Sequence, residues 1–553
     1  MVREEMTLGA VLDAAAEKVP DRDALVYVDR GLRYTYREFR ERVNLLARGL
    51  LALGVEKGEH LALWAVNLPE WVLLQFATAK VGAVLVTVNT NYQRHELKYV
   101  LGQSDATTLF LAEGYRDVDC LAALYDVVPE VRDPAWPEPG CPDLPRLRRV
   151  VFLGQGERPG TLPLPRLYEL GRGVAPAALA EREAQLSPAD PINMQYTSGT
   201  TGFPKGVLLS HANIVANAQA QAEVLGFSEA DRLCIPVPFF HCFGCVMSTL
   251  LCVCSGATMV PVETFDAGLI LRSIEEERCT AVHGVPTMFI ALLDHPDFPR
   301  RDLTSLRTGI MAGAPCPVEL MRRVMGRMHM TEICITYGQT EASPGITMTR
   351  RDDSLERRVS SVGRALPGVE VKIVDPETGA EVPPGAQGEL WSRGYNTMLG
   401  YYKMPEATAE TVGADGWLHT GDLATMDEHG YCKITGRLKN MIIRGGENIF
   451  PREIEEFLYT HPEVLHAEVV GVPDLKYGEQ VLAAIVPRNG TVLTQEQIQA
   501  FCRGKIARHK IPRYVMFLPS FPTTASGKVQ KFVLRDWAID RYGLAEAAKV
   551  ETA

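Results

Sequence analysis

The sequence lacks a surplus of positive charge. Its 57 lysine and arginine residues are outnumbered by 68 aspartate and glutamate residues, which gives a formal net charge of −11. General nucleic-acid binders draw much of their affinity from a basic surface, so nucleic acid is excluded as the expected partner. A polyanionic ligand would have to be held by local positive groups instead.

Long apolar runs are missing as well. The least polar stretch is VMSTLLCVCSGATMVPV at 246–262, which is interrupted by Ser and Thr and is shorter than the roughly 20 residues of a membrane-spanning helix. The first residues, MVREEMTLGA, carry acidic side chains and no apolar signal region. We therefore expect a cytoplasmic protein without a membrane span.

Cysteine is too sparse and too irregularly spaced for a disulfide framework, with 12 residues in a chain of 553. One segment has the composition of a zinc site, with candidate ligands at His241, Cys242, Cys245, Cys252 and Cys254. The segment is apolar, and it lacks the longer spacer that usually separates two pairs of zinc ligands. Because free cysteine often behaves as a small buried hydrophobic residue, a metal site here is the less favoured alternative.

The first part of the chain alternates helical and strand patterns. A helix is predicted at TYREFRERVNLLARGLLALG, where Thr35 and Glu38 have capping-box spacing and apolar residues recur at helical intervals. Strands are predicted at HLALWAV and AVLVTVN, on either side of the helical PEWVLLQFATAKVG. Apolar strands that alternate with helices indicate a mostly parallel sheet covered on both faces.

Later regions extend and then change this pattern. Residues 131–191 are rich in proline and glycine, which predicts a subdomain boundary or a surface excursion. A second α/β series follows, with strand candidates at INMQ, RLCIPVP, ATMVPV, TAVHGVP, LRTGIMA and EICITYG. Short β segments with turn signals come after about residue 365. From residue 440 a compact α+β pattern includes EQIQAFCRGKIARHK as a helix and ends in a frayed tail.

These patterns together predict an α/β protein of more than one domain, as its length also suggests. The large N-terminal domain would span residues 1–437 and contain two α/β lobes plus a small β subdomain at about 365–437. A C-terminal α+β domain would span residues 438–553.

A candidate phosphate site lies at YTSGTTGFPKGV, where glycine and hydroxyl residues lead to a single lysine. Counted from Gly199, a Walker A loop would need glycine at Pro204 and serine or threonine at Gly206, so the segment departs from that motif. The loop follows a strand and precedes a helix with Ser210 as its N-cap, a position that suits an anion. Backbone N–H groups, hydroxyls and Lys205 therefore predict phosphate binding, with a flexible glycine turn as the alternative.

Further motifs narrow the chemistry. The stretch ITYGQTEASP places Tyr337, Thr340 and Glu341 after a predicted strand, where ligands of open α/β sheets bind. The later stretches WLHTGDLA, TGRLKNMIIRGGENIFPREIE and PTTASGKVQK contribute Asp422, Arg437 and Lys528. In order and spacing this series resembles the adenylate-forming superfamily, which includes acyl-CoA synthetases, adenylation domains of peptide synthetases and beetle luciferases.

The resemblance runs from the first helix to about residue 540. Within the superfamily the sequence is similar to medium-chain acyl-CoA synthetases of the family member 2 type, notably at GVPTMFIALLDHPDF, GRLKNMIIRGGENIFP and AFCRGKIARHKIPRYVMF. The implied reaction has two halves. A carboxylate first attacks the α-phosphorus of ATP and displaces pyrophosphate, and the CoA thiol then attacks the acyl carbon and releases AMP. The implied small molecules are a carboxylic acid, ATP, CoA and Mg²⁺.

The resemblance also implies roles for individual residues in nucleotide binding. The β- and γ-phosphates would be held by Thr197, Ser198, Gly199, Thr200, Thr201, Gly202, Phe203, Pro204 and Lys205. Tyr337 would stack on the adenine, with Gly313, Ala314 and Pro315 as the opposite wall, and Gly338 and Gln339 would also bind the nucleotide. Thr340 would bind the α-phosphate, Glu341 would bind Mg²⁺, and Asp422 would bind the ribose with support from Arg437.

The remaining implied roles concern catalysis, the acyl group and CoA. Lys528 would bridge the attacking carboxylate and the α-phosphate during adenylation only, so the C-terminal domain would move between the half-reactions. Lys439 matches the hinge position, and Gly445 and Gly446 match the turn beside the CoA tunnel. The acyl group would be surrounded by Phe240, His241, Met311 and Pro344, with His241 close to its carboxylate.

The expected function is an ATP-dependent fatty acyl-CoA ligase for medium-chain acids. An aryl-CoA ligase is a close alternative, and an enzyme that loads a carrier protein is another, although no carrier sequence follows residue 540. A catalytically silent nucleotide-binding scaffold should have lost Lys528, Glu341 or Asp422, and all three are present. Homo-oligomerisation stays open.

Overall fold

The computed structural model forms two compact units, Met1–Val371 with Ser392–His419 and Lys372–Trp391 with Thr420–Ala553. We call them unit 1 and unit 2. The structure describes residues 5–116, 118–133, 135–137, 140–197, 204–313, 316, 318–444, 447–488, 491–503, 505–506, 508–524 and 529–548, without the side chains of 439, 447 and 448. The domain boundary at residue 437 stays a prediction.

The elements up to residue 190 confirm the predicted alternation of helices and strands. Thr35 and Glu38 form the predicted capping box at the start of the second helix, since each side chain accepts a hydrogen bond from the other residue's backbone N–H. The elements are α1 (Leu8–Lys18), β1 (Asp23–Tyr27), β2 (Leu32–Thr35), α2 (Tyr36–Ala52), β3 (His60–Trp64), α3 (Pro69–Val81), β4 (Val84–Thr87), α4 (Arg94–Gln103), β5 (Thr108–Leu111), β6 (Gly114–Tyr115), β7 (Val118–Asp119), α5 (Cys120–Val127), β8 (Arg149–Phe152), β9 (Leu162–Pro163), α6 (Leu164–Arg172) and α7 (Pro176–Glu183).

The second α/β series completes most of unit 1. Its elements are β10 (Pro191–Thr197), β11 (Lys205–Ser210), α8 (His211–Leu225), β12 (Arg232–Ile235), α9 (Cys242–Gly244), α10 (Leu251–Ser255), β13 (Thr258–Pro261), α11 (Ala267–Glu276), β14 (Ala281–Val282), α12 (Pro286–Leu293), β15 (Ile310–Met311), α13 (Val318–Arg327), β16 (Cys334–Gly338), β17 (Gly345–Met348), α14 (Leu355–Ser360) and β18 (Arg364–Ala365). A π-helical segment, Cys245–Leu250, connects α9 to α10.

The last third of the chain begins with short strands, as predicted, and continues into unit 2. Its elements are β19 (Val369–Val374), β20 (Gly388–Gly394), β21 (Gly400–Tyr401), α15 (Pro405–Thr411), β22 (Leu418–Met426), β23 (Cys432–Arg437), β24 (Ile442–Arg444), β25 (Glu447–Ile449), α16 (Pro451–Leu458), β26 (Val464–Asp474), β27 (Gly478–Pro487), α17 (Gln495–Cys502), β28 (Tyr514–Phe517), α18 (Lys531–Tyr542) and α19 (Ala545–Ala548).

Unit 1 contains two main sheets whose strands do not follow the chain order. The first sheet has the order β21-β11-β10-β4-β3-β5-β8-β9, and the second has the order β14-β12-β13-β1-β2. A further sheet has the order β15-β16-β17-β18. It continues the second sheet through two parallel bridges, between Ala281 and Thr308 and between Gly284 and Met311. The prediction that INMQ starts the second lobe is therefore wrong, because that segment is β10 of the first sheet. Conversely, β1 and β2 from the N-terminal region belong to the second sheet.

Two further expectations are corrected by the structure. The stretch 131–191 is not simply a boundary or surface excursion, because β8 and β9 extend the first sheet and the residues of β8 after Arg149 are buried in its core. The helix predicted through Lys510 ends at Cys502, where Arg503 turns to an extended conformation with ψ 130°. The predicted frayed tail begins with the short helix α19.

Unit 2 contains most of the sheet β19-β20-β22-β23 and a second sheet of the order β25-β24-β27-β26, with β28 added in parallel to β27. Helices α16 and α17 cover one core cluster, and α18 covers another. Lys531 fixes the start of α18, because its Nζ lies 2.5 Å from Glu455 Oε1 and 3.1 Å from Glu468 Oε2. Burial raises the pKa of Glu468, and Lys531 opposes that rise.

Across the part of the chain that the structure describes, no helix combines the length and the apolar character needed to cross a bilayer.

Candidate active site

The carboxyl ends of neighbouring parallel strands of unit 1 lie along one edge. β12 pairs in parallel with β14 and β15 with β16, while the bridge between Gly284 and Met311 joins the two pairs in the same direction. Predicted site residues lie at or after the carboxyl ends of three of these strands, at 240–241, 311–313 and 337–341. Since ligands of open α/β sheets bind outside the carboxyl ends of strands, the topology brings these three segments to the expected edge.

The predicted phosphate loop connects two antiparallel strands. Thr197 ends β10, Lys205 begins β11, and the two residues are paired across the ladder. The prediction that this loop lies directly between a strand and a helix is wrong, because β11 intervenes before Ser210 caps α8. The Tyr99 hydroxyl donates a hydrogen bond to the Pro204 carbonyl at 3.0 Å, which holds the start of β11.

Tyr401, on β21, contacts both a predicted phosphate residue and the predicted metal ligand. Lys205 Nζ lies 4.7 Å from the centroid of its ring, within the range of a cation–π contact. The Tyr401 hydroxyl donates a hydrogen bond to Glu341 Oε1 at 2.8 Å. Burial and the Glu341 charge raise the pKa of Tyr401, so the phenol keeps its proton and remains a donor. The sequence analysis did not identify this residue.

Thr340 and Glu341 lie on a single 3-10 turn that follows β16. Gly338 has no room for a side chain before this turn, because an added Cβ would lie 1.8 Å from the Pro344 carbonyl oxygen. Ser343 closes the turn in the left-handed region, with φ 67°. That conformation costs about 1–3 kcal/mol in a residue other than glycine, so neighbouring contacts must hold the turn in place.

A polar network from helix α8 supplies such contacts. Asn217 Oδ1 accepts a hydrogen bond from Gly345 N at 3.1 Å, and its Nδ2 donates to Gly345 O at 2.9 Å. Asn396 Nδ2 also donates to Gly345 O, and the Ser343 hydroxyl donates to Asn396 O at 2.7 Å. Gln221 Nε2 donates to Asn217 Oδ1 at 2.6 Å. Because α8 follows β11 directly, this network connects the phosphate hairpin to the turn.

Gln195, on β10, connects two buried thiols to the same region. Its Oε1 accepts a hydrogen bond from Cys242 Sγ, and its Nε2 donates to Cys245 Sγ, both at 2.9 Å. Burial raises the pKa of both thiols, to about 12 for Cys245. For Cys242, the neighbouring Cys245 and Glu341 add to the rise, while a hydrogen bond with Thr340 opposes it. These interactions indicate that the Cys242 thiol lies beside the turn.

The chemistry of these thiols bears on the zinc alternative. Cys242, Cys245 and Cys252 are all buried, and burial raises the pKa of each thiol, as for small packing groups in an apolar core. Among the described residues, no three His, Cys, Asp or Glu side chains are grouped so that they could hold a metal ion. The geometry therefore favours a packing role for the cysteines.

The predicted acyl residues lie on the segment before α9 and on β15 and the turn. Phe240 is buried, and His241 is half-buried at the N-cap of α9, where its Nδ1 accepts a hydrogen bond from Phe243 N at 3.2 Å. Met311 is fully buried in the core beneath β15, and Pro344 is buried in the turn. Their assignment to one acyl pocket stays a prediction.

The predicted adenine residues follow the same edge. Tyr337 is half-buried near the end of β16 and is paired with Thr347 of β17. Gly313 follows β15 with φ 83°, a conformation that favours glycine. Gln339 donates its backbone N–H to Pro344 O at 2.9 Å, which closes the turn.

In unit 2, Asp422 and Arg437 form an ion pair. They are directly opposite each other on β22 and β23, and Arg437 Nε lies 2.6 Å from Asp422 Oδ1. The Asp422 side chain is only 3% exposed, whereas that of Arg437 is 44% exposed. A buried carboxylate held by an arginine at its side is a suitable acceptor for sugar hydroxyls.

Several predicted site residues lie outside the described part of the chain. They are Ser198, Gly199, Thr200, Thr201, Gly202, Phe203, Ala314, Pro315, Gly445, Gly446 and Lys528, together with the side chain of Lys439. Their roles stay predictions.

Comparison with known proteins identifies the family. A model of the AMP-binding enzyme family matches residues 12–402, and a model of the AMP-binding enzyme C-terminal domain matches residues 453–528. The Bacillus subtilis protein YngI, provisionally named an acyl-CoA synthetase, is 53% identical over 541 residues, 98% of each chain. The mitochondrial medium-chain acyl-CoA ligase ACSF2 of Danio rerio is 43% identical over 544 residues, 98% of this chain and 90% of the relative.

Solved structures agree with this result. The ATP-bound crystal structure of MatB from Rhodopseudomonas palustris has a TM-score of 0.83 and 29% identity, and the match covers 97% of this chain and 100% of MatB. The chain therefore belongs to the AMP-binding enzyme family, the adenylate-forming superfamily that its motifs resemble, and within it to the AMP-forming acid–thiol ligases represented by the acyl-CoA synthetases.

Proposed function

We propose that this acyl-CoA synthetase joins medium-chain fatty acids to CoA at the expense of ATP. The observation that carries the proposal is that one side chain, Tyr401, contacts both Lys205, a cation suited to phosphate, and Glu341, a carboxylate suited to a metal ion. The ACSF2 relatives, named as medium-chain acyl-CoA ligases, support the chain length.

In the first half-reaction, the fatty acid carboxylate attacks the α-phosphorus and pyrophosphate leaves. Lys205 and the backbone of its hairpin would bind the β- and γ-phosphates, so that they stabilise the leaving group. Thr340, on the turn after β16, would donate a hydrogen bond to the α-phosphate. Catalysis would thus rest on placement and on neutralising phosphate charge, without a covalent enzyme intermediate.

Glu341 is the proposed magnesium ligand. Mg²⁺ is usually bound by one or two carboxylates together with substrate phosphates and water, so a single half-exposed carboxylate fits this ion. When bound, Mg²⁺ would neutralise charge on the phosphate oxygens.

The other roles follow the family resemblance and stay proposals. Asp422, with Arg437 at its side, would accept hydrogen bonds from the ribose hydroxyls. Lys528 would bridge the acid and the α-phosphate during adenylation and withdraw before the CoA thiol attacks. Lys439 would serve as the hinge for that movement, and the turn at 445–446 would approach the CoA arm.

For the acyl group, we propose a site lined by Phe240, His241, Met311 and Pro344. The buried segment from Phe239 to Val253 is mainly apolar, which suits an aliphatic chain better than a charged acid. One methylene changes binding by only about 1–3 kcal/mol, so the preference for chain length should be graded rather than absolute.

A panel of acids tests this proposal. Pyrophosphate release should be measured with ATP, Mg²⁺ and CoA for straight-chain acids from butyrate to palmitate, and for benzoate and phenylacetate. The highest kcat/KM should occur at medium chain length. A maximum with an aromatic acid would instead favour the aryl-CoA ligase, and acyl transfer to a phosphopantetheine carrier but not to CoA would favour the carrier-loading enzyme. A cytoplasmic location and the oligomeric state stay predictions.

A further inference from the structure

We propose that Tyr401 is a positioning residue that keeps the phosphate-binding lysine and the metal-binding carboxylate apart while it holds each in place. The inference deepens the proposed function and rests on it, because it assumes that Lys205 binds phosphate and that Glu341 binds Mg²⁺. The sequence motifs assign no role to Tyr401, and the names of the related proteins do not suggest one.

The hydroxyl of Tyr401 fixes Glu341. It donates to Oε1 at 2.8 Å, and the main chain three residues earlier adds a second contact, because Met398 N donates to Glu341 O at 2.9 Å. Glu341 is therefore held by its side chain and by its backbone from the same segment. Hydrogen-bond partners behind a metal ligand orient it, and their loss typically lowers metal affinity by about 10–100-fold.

The ring of Tyr401 fixes Lys205. The ammonium group lies 4.7 Å from the ring centroid, and β21 is paired with β11 through Val207, only two residues from Lys205. Tyr401 itself is 8% exposed, and its backbone N–H donates to Thr408 Oγ1 at 2.9 Å. The tyrosine is thus a rigid support whose two ends contact different charges.

The neutral phenol also separates two opposite charges. Lys205 and Glu341 are both described by the structure, and they form no ion pair with each other, although both contact Tyr401. A direct ion pair would use the lysine and the carboxylate to neutralise one another. With Tyr401 between them, Lys205 remains available to an anion and Glu341 to a cation.

Two substitutions separate the contributions of the hydroxyl and the ring. Tyr401→Phe removes the hydrogen bond to Glu341 and retains the ring beneath Lys205. Tyr401→Leu removes both contacts and opens a path for Lys205 and Glu341 to pair. The adjacent Tyr402 offers a matched control, because its hydroxyl bonds Asp105 Oδ2 at 2.9 Å and its ring lies 5.4 Å from Lys403 Nζ.

The experiment measures binding without turnover. With acid and CoA omitted, Mn²⁺ binding in the presence of ATP is followed by electron paramagnetic resonance, since Mn²⁺ accepts the same carboxylate and phosphate ligands as Mg²⁺. Metal-free pyrophosphate binding is measured by calorimetry. Tyr401→Phe should weaken Mn²⁺ binding about tenfold and leave pyrophosphate binding unchanged, whereas Tyr401→Leu should weaken both. Tyr402→Phe should change neither.

The proposal is overturned if Tyr401→Phe binds Mn²⁺ as the wild type does, if it loses pyrophosphate to the same extent as Mn²⁺, or if Tyr402→Phe shows the same loss. Failure of the proposed function would look different. In that case the wild-type protein itself would bind neither ATP with Mn²⁺ nor pyrophosphate, and it would form no acyl-CoA.

Discussion

Replacing Asn217 by alanine should loosen the turn after β16 without removing any group that we assign to a ligand. Asn217 is fully buried on α8 and takes part in three hydrogen bonds, two with the backbone of Gly345 and one from Gln221. After the substitution, Gly345 N–H and the Gln221 amide both lose their acceptor. The Gly345 carbonyl keeps one partner, because Asn396 Nδ2 donates to it at 3.1 Å.

The size of the effect follows from those two donors. A buried donor without an acceptor costs about 1–3 kcal/mol, so two such donors should favour local opening by about 3 kcal/mol after partial relaxation. Because about 1.4 kcal/mol corresponds to a factor of ten, the turn should open about a hundredfold more often. Thr340 and Glu341, which lie on this turn, would then spend more time away from their working positions.

Amide hydrogen exchange measures this opening directly. Peptides that cover residues 338–348 should exchange faster in Asn217→Ala, with the change concentrated at Gly345, whereas peptides from α2 should be unaffected. The rate of acid-dependent exchange of pyrophosphate into ATP should fall in the same variant. Gln221→Ala is the matched control, because it removes only the flanking hydrogen bond and leaves Asn217 paired with Gly345. Exchange at Gly345 within threefold of the wild type in Asn217→Ala would refute the reasoning.

Three other substitutions test separate parts of the account. Lys528→Ala should slow acyl-adenylate formation by about 10²–10³-fold while supplied acyl-adenylate still reacts with CoA, and equal loss of both half-reactions would contradict the role in adenylation only. Asp422→Asn should raise the KM for ATP about tenfold and abolish discrimination against 2′-deoxy-ATP, whereas retained discrimination would argue against ribose binding. Lys531→Met should lower the free energy of unfolding of unit 2 by about 3 kcal/mol at neutral pH, because Glu455 and Glu468 lose their cation. That loss should shrink at pH 5, where Glu468, with its raised pKa, is protonated, and a loss independent of pH would contradict this explanation.

Local signals in the sequence predicted local structure well. The capping pair Thr35 and Glu38 fixed the start of α2, and Ser210 was identified as the cap of α8, because both signals depend on residues three positions apart. The predicted strand EICITYG, with Tyr337 near its end, also appears as β16. Each of these features is specified within a few residues of the chain.

Pairing between distant segments was not predictable in the same way. The structure places β10 in the first sheet and β1 in the second, and it adds β8 and β9, from within 131–191, to the first sheet. No local sequence pattern indicates these pairings, since the partners of a strand are decided by the whole fold. Lys205 was assigned to the phosphate loop together with the glycine and hydroxyl residues before it, yet it starts an antiparallel strand.

Site residues that belong to a sequence motif were predictable, whereas residues that contact them from distant parts of the chain were not. Glu341 was identified from the resemblance of YGQTE, but Tyr401 lies 60 positions further along the chain and touches it only after folding. The role of Asn217 was equally unpredictable, because the sequence around a single helical asparagine does not indicate which backbone groups its side chain will bond. Helical spacing of Asn213, Asn217 and Gln221 on α8 was the one available signal for a polar face.

The most direct test of the central claim is the product balance of the purified protein with ATP, Mg²⁺, CoA and a medium-chain acid such as octanoate. The account predicts that each acyl-CoA formed is matched by one AMP and one pyrophosphate, and that nucleotide cleavage depends on the acid. Release of ADP and phosphate with the acyl-CoA would contradict it, as would cleavage of ATP at the same rate without any acid.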